Sequence, residues 1–251
     1  MEGSLPLIGK YPLRRCDFCP PIPYLFIDSL TSFGMATAHP FETLTDEYDN
    51  WFETNNEAYR AEQAALERIL PDESPSADNH ALEIGVGTGR FAAPLGLSIG
   101  LDPARSALER ARNRGVDPVR GVAESLPFAD GELDLALFVT VLCFVDDLEA
   151  TLSEAHRVLG DDGTLAVAVL DRSSAVGRVY QEHKDESPFY ADAEFLTGEA
   201  ACRELERAGF VIEDRGQTVF EDPATLDSET TPFREGHGDG LFAVIRASPA
   251  P

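Results

Sequence analysis

The sequence predicts an α/β fold: a doubly wound, mostly parallel sheet of seven strands with a helical segment ahead of it. Three observations predict it. Short apolar runs alternate with helix-period segments from residue 80 to residue 246, the pattern of successive strand–helix units. The first run, from Ala81 to Ile84, leads into Gly85, Gly87 and Gly89, residues suited to a tight strand-to-helix turn. The second, from Ile99, ends in a lone acid, Asp102. An aspartate at a strand tip beside such a turn is placed to accept both hydroxyls of a ribose.

The elements follow in order. Residues 45–70 read as helix, with Tyr48, Trp51 and Phe52 and then Ala58, Ala61, Ala65, Leu66 and Ile69 at helical spacing. Pro71 and the polar run 72–79 link this segment to the sheet. Strands are expected at 80–85, 97–101, 118–121, 133–139, 163–170, 210–220 and 240–246, and helices near 89–96, 103–113, 147–159 and 199–208. Right-handed crossovers place the connecting helices on both faces of the sheet. Ligands in such folds bind beyond the carboxyl ends of the strands. Glu83, Asp102, Glu124 and Thr140 all fall at that edge.

Two longer connections belong to the same edge. The insertion 171–198 carries Tyr180, Phe189, Tyr190 and Phe195, a density of rings that suits a partly apolar substrate pocket. The connection 221–239 is too long for a tight hairpin. If the strands it joins pair antiparallel, His237, between Gly236 and Gly238, faces the mouth of the site.

Composition bounds the function. The 251 residues suffice for one domain with appendages, 80–251 being the main domain and 35–79 a helical segment and linker. No apolar run approaches the ~20 residues of a membrane helix. The formal net charge is −25, and Lys10 and Lys184 are the only lysines. Such a surface repels nucleic acid and anionic membranes, so neither is expected as a partner. The acidity suggests adaptation to high salt, where dense carboxylates are screened. Four scattered cysteines do not make a disulfide framework and point to a reducing cytoplasm. Residues 1–34 differ: they are proline-punctuated, aperiodic and neutral overall, and read as a disordered leader or a stretch ahead of a true start at Met35. Cys16 and Cys19 resemble half a zinc knuckle, but no second close pair exists, so no metal is expected.

The glycine spacing narrows the ligand. A dinucleotide loop reads G-x-G-x-x-G and seats a pyrophosphate on a helix N-terminus. Here the pattern is E-x-G-x-G-x-G, and Arg90 stands where the third glycine would fall. Glu83 would repel a pyrophosphate but suits a ligand with a cationic end, such as S-adenosylmethionine. A nicotinamide-dependent oxidoreductase is disfavoured on the same ground.

From about Tyr48 to Arg246 the chain resembles the class I S-adenosylmethionine-dependent methyltransferases, in particular the type 11, ubiquinone/menaquinone methyltransferase-like group. Glu83 to Gly89 are similar to the family's first motif and Asp102 to its ribose-binding acid. Val119 to Asp134 are similar to its adenine-side segment, and Ala155 to Leu165 to its helix, turn and fifth strand. The resemblance implies a Rossmann-like methyltransferase fold with a helical lid over the cofactor. It implies cofactor contacts from Tyr48, Glu83, Gly85, Gly87, Gly89, Asp102 and Thr140. Many relatives carry Asp at the place of Val122, so the adenine contact here passes to Ala123 or Glu124. Asp171 to Tyr180, Ser187 to Tyr190 and Thr140 to Asp146 resemble a subgroup in which such stretches cover the substrate.

The expected reaction is methyl transfer from S-adenosylmethionine to a small-molecule acceptor by in-line displacement. It needs alignment and exclusion of water, and a general base only if the acceptor must first lose a proton. His237, Tyr190 and Asp171 are the candidate bases. A protein that binds the cofactor but regulates or scaffolds is the alternative, since fold does not guarantee activity. The acceptor and the oligomeric state are not legible.

Overall fold

The computed structural model describes residues 35–71, 80–226 and 232–250. The expected leader with Cys16 and Cys19, and the 72–79 link, lie outside the described residues. Three helices come first: α1 (Met35–Thr43), α2 (Thr45–Thr54) and α3 (Asn56–Ile69). The single helix expected over 45–70 is thus split. At the break Asn55 leaves the helical region (φ −115°, ψ 41°), and its side-chain amide donates to the Trp51 carbonyl at 2.9 Å. An asparagine bonding locally in this way competes with helix continuation.

The sheet then builds up from β1 (Ala81–Ile84), β2 (Ile99–Asp102), β3 (Asp117–Arg120), β4 (Leu133–Val139) and β5 (Leu159–Leu170), all mutually parallel. Between them lie α4 (Ala92–Leu95), α5 (Arg105–Asn113) and α6 (Leu148–Val158). After β5 come α7 (Ala175–His183), α8 (Gly198–Arg207), β6 (Phe210–Thr218), β7 (Arg234–Glu235) and β8 (Phe242–Pro249). The strand order is β3-β2-β1-β4-β5-β8-β6-β7, with β8 antiparallel to both β5 and β6.

All seven expected strands are present, and the doubly wound, mostly parallel sheet is as predicted. The eighth, β7, is an edge strand of two residues pairing Gly216 and Gln217, too short to leave a periodic signal. β5 starts earlier than residue 163, because Leu133 pairs with Leu159 before the register skips to Leu135–Thr164. α7 was not expected; Ser174 caps it by accepting from the Gly177 N–H at 2.9 Å.

Side chains of successive strand residues go to opposite faces. Leu135, Leu137 and Val139 join one buried cluster with Leu66 and Ile69 of α3 and Leu108 and Ala111 of α5. Ala136 and Phe138 join the other, with Leu152 and Val158 of α6 and Ala201 and Leu205 of α8. Both faces are therefore covered, as a parallel sheet requires. Among the described residues no helix is long and apolar enough to cross a membrane.

Candidate functional site

At the carboxyl edge the strand order reverses direction between β1 and β4, the switch point at which such sheets hold ligands. A cavity of about 490 Å³ lies there, within the usual range for a small-molecule site. One half is built by the glycine loop and the strand ends, the other by α1–α3 and the insertion.

The glycine loop is pinned to β2 by the Gly85 and Val86 N–H groups, which both donate to the Leu101 carbonyl at 2.7 and 2.9 Å. Gly85 (φ 76°) has no room for a side chain, since a Cβ would overlap the Val141 methyls. Gly89 (φ 80°) lets the loop approach α5, with a Cβ only 3.0 Å from the Ala111 Cα. The Gly87 N–H donates to Asp102 Oδ2 at 2.9 Å, and the Ala104 N–H donates to Asp102 Oδ1 at 2.8 Å. Burial pushes the Asp102 carboxyl up to about 6, against the pull of those two N–H groups. Each of its oxygens retains capacity for a further donor.

Glu83, in the middle of β1, is 1 % exposed, and its Oε2 has no partner among the described residues. Burial raises this carboxyl well above the ordinary range, only partly offset by the Ala92 backbone. Such an orphaned buried oxygen is costly unless a donor or cation meets it. On the opposite wall, Thr140 follows β4 with φ 55°, a left-handed backbone that a β-branched residue rarely adopts. Val122, Ala123 and Glu124 line the cavity beyond Asp102. The Glu124 carboxylate accepts from the Asp146 N–H at 2.9 Å, which ties that wall to the loop after β4.

Tyr48 lines the cavity, and its neighbour Asp49 faces the other way. Asp49 Oδ1 accepts from Thr88 Oγ1 at 2.7 Å and Arg90 Nε at 3.0 Å; Oδ2 accepts from Arg114 at 2.8 Å and Arg110 at 3.2 Å. Burial works against this carboxylate, but hydrogen bonds from Arg114, Thr88 and Arg90 outweigh it and hold it at about 2. One aspartate thus fastens α2 to the glycine loop and to α5. Arg90 also pairs with Glu53 at 2.7 Å.

The other half of the cavity is aromatic. Tyr48 packs edge-on against Phe41 (5.4 Å between centroids), Phe41 against Phe144 (5.3 Å) and Phe189 (5.5 Å), and Phe144 stacks on Tyr190 (6.2 Å). Tyr180 and Tyr190 are 5.8 Å apart. Phe195 packs behind Tyr190 and does not line the cavity. Of the candidate bases, only Tyr190 lines it. Asp171 is fully buried at the end of β5, with Oδ1 accepting from the Ser173 N–H and hydroxyl. His237 packs on Gly198, and neither it nor Asp171 reaches the cavity wall.

Sequence reasoning missed Asp49 as the hub, Phe41, and Glu62 of α3, which lines the cavity. Glu62 left a signal: it stands on the apolar stripe of Ala58, Ala61, Ala65, Leu66 and Ile69. Phe41 left none, because it stands ahead of the periodic stretch 45–70 and no spacing singled it out. Among the described residues there is no cluster that could hold a metal ion.

Residues 82–167 match a family model described as a methyltransferase domain. A protein of Methanocaldococcus jannaschii is 37% identical over 207 residues, 82% of this chain and 97% of its own length. A crystal structure of an S-adenosylmethionine-dependent methyltransferase from Thermotoga maritima, described as a possible histamine N-methyltransferase, is 43% identical. It superposes with a TM-score of 0.79 over 84% of this chain and 99% of its own. The chain belongs to the S-adenosylmethionine-dependent methyltransferases. Its cofactor is therefore S-adenosylmethionine. More distant methyltransferases share the fold: the magnesium protoporphyrin IX methyltransferase of Synechocystis, solved with bound S-adenosylhomocysteine, has a TM-score of 0.62 at 12% identity. It covers 86% of this chain and 99% of its own.

Proposed function

We propose that this methyltransferase acts on a small-molecule acceptor held in the aromatic half of the cavity. The observation that carries this reading is the continuity of one cavity from Gly85, Gly87 and Asp102 to Tyr180, Phe189 and Tyr190. A cofactor on the glycine loop and an acceptor among the rings would then share one water-poor space.

The residues fit the cofactor. Asp102 would take the ribose hydroxyls, and Glu83, with its orphaned oxygen, would answer the cationic methionine end. Gly85, Gly87 and Gly89 would present bare backbone, Ala123 and Glu124 would flank the adenine, and Tyr48 and Thr140 would close the methionine side. Val122 cannot donate or accept through its side chain, so the adenine contact would fall to the Ala123 backbone or to Glu124. Arg90 is held by Asp49 and Glu53, which leaves it unsuited to a pyrophosphate.

When bound, the cofactor supplies an electrophilic methyl on a sulfonium. The chain's share is to align the acceptor and exclude water, effects that supply ~7–11 kcal/mol. The helices α1–α3 serve as the lid, tied down by Asp49. Incubation with methyl-labelled S-adenosylmethionine and a low-molecular-weight cell extract tests the reading. Label is expected in a small molecule. Label only in protein or nucleic acid, or binding with no transfer, refutes it.

A further inference from the structure

Glu62 is a carboxyl to which the cofactor assignment above gives no role. It belongs to the buried face of α3, is 4 % exposed and lines the cavity. Among the described residues no cation or hydrogen-bond donor engages it, and burial alone raises its pKa to about 8. It is near enough to Tyr180 and Tyr190, which line the same cavity, to push both phenols up, as it does Tyr48 and Tyr59. No charged group on those tyrosines' elements answers it. His183 and Lys184 also line the cavity, and the Lys184 ammonium donates to the Ala193 carbonyl at 2.7 Å.

We propose that the acceptor is a compact amine carried on a flat apolar group, and that Glu62 binds its nitrogen. This rests on the acceptor being a small molecule in the aromatic half. A buried carboxyl asks for a cation, and electron-rich ring faces attract one too. Phe41, Phe144, Phe189 and Tyr190 supply a cluster of such rings on the wall of the same cavity. An acceptor bearing a carboxylate or phosphate would meet Glu62 as a like charge or an idle acid.

The protons balance in a simple way. Unliganded, Glu62 is mostly the neutral acid at neutral pH. An arriving ammonium displaces that proton to solvent, and the ion pair then shares a single proton. With the proton on Glu62, the nitrogen lone pair is free to form the new C–N bond, while the electrons of the breaking C–S bond stay on sulfur. The product leaves as an ammonium, and Glu62 is again the neutral acid. Each turnover releases one proton.

Calorimetry on the full-length protein saturated with S-adenosylhomocysteine tests this. The probes are 2-phenylethylamine and 2-(indol-3-yl)ethylamine, each against its alcohol and carboxylate isostere, in buffers of differing ionisation heat. The amines are expected to bind at least about tenfold tighter than the isosteres and to release a proton on binding. Glu62→Gln should lose that preference and the proton release, with S-adenosylhomocysteine affinity unchanged. Isosteres that match both amines, or a Glu62→Gln variant that keeps the preference, overturn the proposal. Failure of S-adenosylhomocysteine to bind the wild type would instead refute the cofactor site.

Discussion

Replacing Asp49 by alanine removes the shared anion of three arginines and the acceptor of the Thr88 hydroxyl. The carboxylate is held at about 2 against an ordinary 3.8, although burial alone would raise it. That difference corresponds to about 2 kcal/mol of differential stabilisation. Truncation also leaves Arg114 and Arg90, with side chains 28% and 16% exposed, short of an acceptor. Breaking a fully buried pair costs about 3–5 kcal/mol. Here Arg90 keeps Glu53 and Arg110 keeps Asp46, so the low end, about 3 kcal/mol, is expected. For a chain of this size that lowers Tm by roughly 6–12 °C. Because Asp49 fastens α2 to the glycine loop, S-adenosylhomocysteine should also bind more weakly. Urea unfolding and calorimetry on the wild type and Asp49→Ala measure both. The sign in pH is set by the lowered carboxyl: its contribution is complete above pH ~4 and disappears as pH falls toward 2. An Asp49→Ala protein within about 0.5 kcal/mol of wild type, with unchanged ligand affinity, would refute the reasoning.

Cofactor affinity should fall in acid. Burial pushes Asp102 up to about 6, and in the proposed site only its ionised form would accept both ribose hydroxyls, so binding at pH 5 should be roughly tenfold weaker than at its plateau. Asp102→Asn should flatten that profile in a calorimetric pH series. Gly85→Ala forces a Cβ into Val141 at a positive φ, and should cost about 1–3 kcal/mol in urea unfolding together with much of the ligand affinity. With a net charge of −25, molar KCl should raise Tm by screening self-repulsion; a scan showing no gain would count against a salt-adapted surface.

The sheet was legible because most of its strands are or contain short apolar runs, and because the glycine loop and Asp102 mark where its ligand edge lies. The elements that escaped lacked such marks. β7 is two residues long, and α7 is stabilised by a Ser174 cap inside a stretch that reads as insertion. The break at Asn55 comes from one side chain competing for a carbonyl within an otherwise helical pattern. In the site, Glu83 and Asp102 stood out as acids at strand positions. The fastening role of Asp49 was not legible, because it depends on three arginines brought from distant segments. His237 and Asp171 attracted notice as ionisable groups near the right edge, yet both lie off the cavity wall. Glu62 could have been found from its place on an apolar helical stripe.

The central claim is that the glycine loop, Glu83 and Asp102 form an S-adenosylmethionine pocket. Calorimetric titration of the purified chain with S-adenosylmethionine and with NAD tests it most directly. One S-adenosylmethionine per chain is expected, with the affinity lowered at least about tenfold by Asp102→Ala and no heat from NAD. Saturable NAD binding, or S-adenosylmethionine binding indifferent to Asp102→Ala, would contradict the account.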